Sequence, residues 1–176
     1  MLRKAPNRTR AEDICLACGL CCNGVIFANV KLQPGDDASR LQSLGLHFSH
    51  TRPGRAPRFQ QPCLAFDGCR CRIYAQRPEH CREFECLLLK SIHSGQRERS
   101  AALELIRTAK AQAELVLGLL RKLGDSNEDL ALNTRFRRTS RRLEEGKCDG
   151  ETASLFGDLT LAVQDLNLLL SEFFYR

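Results

Sequence analysis

Apolar residues change their spacing once along this chain, near Ser94. Before it they come in short β-branched and aromatic runs; after it they step by three and four. Ile106, Ala109, Ala113, Val116, Leu120 and Leu123 mark one apolar face of a long helix, and Gly124 is placed to close it. Leu132, Phe136, Thr139 and Leu143 predict a second, more polar helix. Leu159, Ala162, Leu166, Leu169 and Phe173 predict a third, capped near Asp149 or Thr152. These helices are expected to pack antiparallel to one another and against the segment before them.

That earlier segment has the texture of strands and turns. The run 25–32 predicts a strand. Pro34-Gly-Asp-Asp reads as a turn leading into a helix over 38–44, which Gly45 ends. Residues 51–57 hold two prolines and a glycine and predict a loop. Asp67-Gly68 separates the runs 58–66 and 69–74, which predicts a hairpin. Pro78 suits the first turn of a helix running towards Lys90. The expected fold is mainly α. It combines a small irregular α+β cysteine-rich head, with short strands and a hairpin, and a C-terminal antiparallel helical body. The expected organisation is a flexible tail over 1–12, a cysteine-cluster metal-binding domain over 13–92, and a helical body over 93–176 packed on it.

Composition narrows this picture without redirecting it. Of 176 residues 43% are apolar, enough for a core. Trp is absent and Met occurs once, so that core must be built from Leu, Ala, Val, Ile and Phe. The N-terminus is basic, but no apolar stretch follows that would make it a secretory signal. No run approaches the ~20 apolar residues of a membrane span. The expected compartment is the cytoplasm. The formal net charge of +6 permits an acidic partner without requiring one.

The cysteines carry the candidate chemistry. There are ten, and all but Cys148 lie between positions 15 and 86. In a reducing compartment such density points to metal or redox work rather than to disulfides. Two cysteines two residues apart can turn both sulfurs onto one ion, and zinc takes four ligands tetrahedrally. Cys15, Cys18 and Cys21 repeat that step, with Gly19 easing the turn. The step also resembles the opening of a bacterial ferredoxin run, but Cys22 follows Cys21 directly where the ferredoxin pattern continues otherwise. Neighbouring side chains point apart, so Cys21 and Cys22 predict two sites, or one cluster of several metal atoms. If residues 78–90 form one helix, Cys81 and Cys86 lie about 140° apart around it and diverge as well. Arg70, Arg72, Arg77 and Arg82 stand beside these thiols, and such cations favour the thiolate that metals require. A four-thiolate zinc site carries a charge of about −2, so two would bring the chain to about +2.

Cys15-x2-Cys18-x2-Cys21-Cys22, Pro62-Cys63-Leu64, Cys71-Arg-Ile-Tyr74, Arg77-Pro78 and Cys81-Arg82-x-Phe84-x-Cys86 occur in that order. Together they resemble the CxxCxxCC signature of the YkgJ-type cysteine-cluster family, described as zinc- or iron-chelating domains. The resemblance covers roughly 13–90. It implies Cys15, Cys18, Cys21, Cys22, Cys63, Cys71, Cys81 and Cys86 as ligands, with Cys69 in reserve, and zinc or an iron–sulfur cluster as cofactor. It implies chelation and no defined reaction, and it does not extend to the helical tail.

Other constellations are weaker. His80 beside Cys81 could replace a thiol but reads as a surface histidine; His47, His50 and His93 are isolated, and Cys148 reads as a loop thiol. Arg135, Arg137, Arg138, Arg141 and Arg142 could meet a phosphate backbone. They read instead as a solvated helix face offset by Glu144 and Glu145. No phosphate loop, HExxH helix or nucleophile elbow occurs. The expected function is a cytoplasmic metal-binding protein. The alternatives are an iron–sulfur enzyme or thiol redox sensor and, behind them, a zinc-organised nucleic-acid binder.

Overall fold

The computed structural model describes residues 8–49, 55–68, 70–146 and 149–175. Cys69, Cys148, His50 and most of the loop expected over 51–57 lie outside them.

The chain enters as helix α1, Arg8–Cys18, which begins inside the expected tail. Its last turn carries Cys15 and Cys18. Gly19 ends it at φ 69°, its N–H bonded to the Cys15 carbonyl. A Cβ there would stand 2.6 Å from Phe66 Cζ, and L-residues avoid this backbone region. Gly19→Ala should therefore lower stability by about 2 kcal/mol, read as a shift in the urea midpoint.

The strand expected over 25–32 contracts to β1, Asn29–Lys31. Just before it, Gly24 turns at φ 85° and the Asn23 side chain accepts from the Val25 N–H. This sends Val25 and Ile26 into the helical core instead of along a ladder. β1 pairs antiparallel with β2, Arg58–Gln60, with Val30 opposite Phe59. The predicted hairpin partner of residues 58–66 is thus corrected. Pro62, with no N–H to donate, stops that run. The Asp67-Gly68 turn is closed by Asp67 and Arg70, and a single bridge joins Phe66 to Cys71. Helix α2, Ala38–Ser43, is capped by Asp37, which accepts from the Arg40 N–H at 2.9 Å, and Gly45 turns the chain out of it at φ 91°.

The helix expected over 78–90 is two. Glu79–Glu83 is α3 and Leu87–His93 is α4, with Phe84 extended between them. The Phe84 ring meets Phe27 edge-on at 4.8 Å, and the Cys86 sulfur caps α4 by accepting from the Leu89 N–H at 3.4 Å. Both interactions reward the break. Asp36 holds the start of α3, one oxygen accepting from Glu79 N–H and the other from Gln33 N–H, each at 2.8 Å.

Helices α5, Arg99–Lys122, α6, Leu132–Glu145, and α7, Gly150–Phe173, form the body. The predicted face of α5 is buried throughout. Asp149 caps α7 as expected, accepting from Thr152 N–H at 2.8 Å. On α7 the deepest positions are Leu159, Val163, Leu166 and Leu170, while Leu169 and Phe173 are only half-buried. The Arg97 guanidinium, just before α5, lies over the Phe173 ring at 5.1 Å, so α5 and α7 run antiparallel. Among the described residues no helix is long and apolar enough to cross a membrane.

Two cores result. The larger joins α5 and α7 to Ile14, Leu20, Val25 and Leu88. The smaller is built from Val30, Leu32, Leu41, Leu46, Phe59, Cys63, Ala65 and Ile73. The seam between them is where the cysteines gather.

Candidate metal centre

Each cysteine reaches the seam from a backbone feature already described. Cys15 and Cys18 come from the last turn of α1, and Cys21 and Cys22 from the turn that Gly19 starts. Cys63 is tied to that turn by its N–H bond to the Cys22 carbonyl at 2.8 Å. Cys71 follows the Asp67-Gly68 turn, Cys81 sits on α3 and Cys86 begins α4. All eight line one cavity of about 110 Å³, with apolar side chains such as Leu20, Ile26, Phe59 and Ile73 around them. None of the eight is in a disulfide.

The sulfurs divide into two groups. Cys18 lies in the electrostatic field of Cys86 and Cys15, and Cys21 in that of Cys18, Cys22, Cys86 and Cys15. Cys22 lies in the field of Cys63, Cys71 and Cys81, and Cys81 in that of Cys63 and Cys71. Cys21 and Cys22, adjacent in the chain, are where the groups meet. Packing follows the same division. Cys18 and Cys86 rest on the larger core, and Cys22, Cys71 and Cys81 on the smaller core that contains Cys63.

Burial, then mutual repulsion, pushes the thiols of Cys22 and Cys81 up to about 12; burial also pushes Cys18 up to about 12. Cys21 is raised well above its ordinary value of 9.0, and burial raises Cys63 and Cys86 as well. A thiolate here needs a cation. Arg77 acts on Cys22 and Cys81, Arg72 on Cys63, and Lys110 on Cys18. Arg77 is held in place by a bond from Nε to the Tyr74 carbonyl at 2.8 Å and by the Tyr74 ring 3.5 Å from its guanidinium carbon. Arg70 and Arg82 are exposed.

Eight soft thiols around a largely apolar cavity are the donor set that zinc and iron–sulfur clusters accept, and that calcium or magnesium would not. The donors therefore fit the group. Among the described residues no three His, Cys, Asp or Glu side chains stand close enough together to hold one metal ion as placed.

Elsewhere the structure rearranges the sequence's candidates. His80 is half-buried at the cavity, its ring 5.4 Å from Phe27, so it is not a plain surface histidine. His47 and His93 are exposed. Most of the arginine run has other employment. Arg135 is buried against Asp125, Arg141 pairs with Glu145, and Arg142 donates to the Leu123 and Gly124 carbonyls at the end of α5. Gln61, which no spacing singled out, is buried and lines the cavity.

Residues 14–108 match the family model CxxCxxCC, whose description is "Putative zinc- or iron-chelating domain". No curated protein and no solved structure matches the chain.

Proposed function

The chain belongs to the CxxCxxCC family, and on that premise we propose that it chelates zinc or iron through Cys15, Cys18, Cys21, Cys22, Cys63, Cys71, Cys81 and Cys86. One observation carries the reading: eight thiols from separate stretches of chain line a single cavity. The proposed ligands act as two groups of four. Cys15, Cys18, Cys21 and Cys86 form one; Cys22, Cys63, Cys71 and Cys81 form the other. Four thiolates satisfy a tetrahedral zinc ion, and they are equally the usual attachment of an iron–sulfur cluster. When bound, the metal supplies positive charge that keeps buried sulfurs ionised, and in each group it joins separate stretches of the chain. The arginines at Cys22, Cys63 and Cys81 offset part of the remaining negative charge. A reducing cytoplasm, in which such thiols stay unpaired, is the compartment that suits this chemistry.

Paired substitutions test the division. Cys18→Ser with Cys86→Ser should remove about half of the bound metal, and Cys22→Ser with Cys81→Ser the other half, read by elemental analysis of anaerobically purified protein. Metal content unchanged in both pairs would refute ligation. Complete loss from either pair would refute two groups and leave one shared cluster.

A further inference from the structure

Gln61 is 3% exposed, and its Oε1 has no hydrogen-bond partner among the described residues. Its backbone N–H is used in a bond to the Ala28 carbonyl at 3.1 Å, which fixes where the side chain starts. The side chain lines the thiol cavity. Phe59 and Cys63, on either side of it in the chain, belong to the smaller core on which Cys22, Cys71 and Cys81 rest. A buried carbonyl oxygen left unpaired is costly, and native structures keep such groups only with a reason.

The reason lies in how the cavity changes on loading. In the metal-free arrangement no described thiol donates to Oε1. Metal-bound thiolates have lost their proton and are acceptors only. A carboxamide carries both ends at nearly equal size, and its terminal torsion is soft, so a half-turn offers N–H in place of oxygen. Groups that donate to metal ligands commonly set their orientation and basicity. We propose that Gln61 is a positioning residue of the metal centre, its carboxamide N–H donating to a metal-bound sulfur of the Cys22 group. This rests on the thiolate reading above and adds a residue that neither the cysteine pattern nor the family description contains.

Titration of the full metal-free chain with cobalt(II) under anaerobic conditions tests it, following the sulfur-to-metal charge-transfer bands and competing the metal away with a chelator. Gln61→Leu keeps the size of the side chain and removes its polar atoms. It should bind cobalt with about 10- to 100-fold lower affinity and with displaced charge-transfer bands. Its metal-free stability should equal that of the parent, because without metal the folded part is the larger core, to which Gln61 does not belong. Gln61→Glu is isosteric but as a carboxylate cannot donate and repels thiolates; it should bind more weakly still, and it carries the comparison should the leucine variant not fold. Parental affinity or unshifted bands in both variants would overturn the role of Gln61 while leaving the thiolate centre standing. A parent chain that binds no cobalt at all would overturn the centre itself, and this inference with it.

Discussion

Stripping the metal from this protein should unfold the smaller core and leave α5 and α7 folded. Among the described residues the smaller core contains eight buried apolar residues, around a two-stranded ladder three residues long. So little buried surface does not sustain an independent unit, and an isolated two-stranded pairing is marginal in water. The larger core has its own partners in α5 and α7 and does not depend on the seam. Binding by four thiolates contributes on the order of 10 kcal/mol of folding free energy to a small site, enough to decide whether the smaller core exists. Hydrogen exchange should show amides of β1, β2 and α3 losing protection by several orders of magnitude on chelation, while those in the middle of α5 and α7 keep theirs. Equal protection before and after chelation would mean that packing alone sustains the head.

Replacing Asp125 should cost about 3–5 kcal/mol, the largest effect expected of any single substitution away from the thiols. Asp125 follows Gly124 at the end of α5 and meets Arg135 of α6 at 2.5 Å, both side chains being 3% exposed. Asp125→Ala strands a guanidinium whose Nη2 already lacks a partner among the described residues. Asp125→Ala combined with Arg135→Met should cost far less than the single change, since replacing both charges removes the unpaired one. Urea unfolding of the three variants checks this, and an additive double variant would contradict it. Burial works against the Asp125 charge, but hydrogen bonds from Asn127 and Arg135 outweigh burial and hold the carboxyl below its ordinary value of 3.8. The sign follows. The contribution is fully present above pH 3.8 and is lost as pH falls through the lower folded value. Asp125→Asn should lack that acid-dependent loss.

Sequence periodicity revealed the body because each long helix buries one face over several turns. Ile106 to Leu123 could be read position by position, and so could the Asp149 cap. The head was less legible because its elements are short and decided by contacts across the chain. The strand expected from Val25 lost half its length to a turn that Gly24 and Asn23 impose. The helix expected from Pro78 broke where Phe84 found Phe27 and the Cys86 sulfur found a backbone N–H. The hairpin at Asp67-Gly68 kept its turn but shrank to the bridge from Phe66 to Cys71, because Phe59 pairs instead with Val30, which lies far back in the chain. At the site, the adjacency of Cys21 and Cys22 implied two directions, and Cys22 rests on the smaller core. Arg135 was misread within a basic run because nothing local marks a buried ion pair ten residues from its partner. Gln61 carried no signal at all, since its importance comes only from what surrounds it.

X-ray absorption at the metal edge of the anaerobically purified chain reads the ligands themselves. The metal should be surrounded by sulfur alone, four atoms per metal, at about 2.3 Å if the ion is zinc. A shell containing oxygen or nitrogen in place of sulfur, or metal still bound after every thiol has been alkylated, would contradict ligation by the thiols.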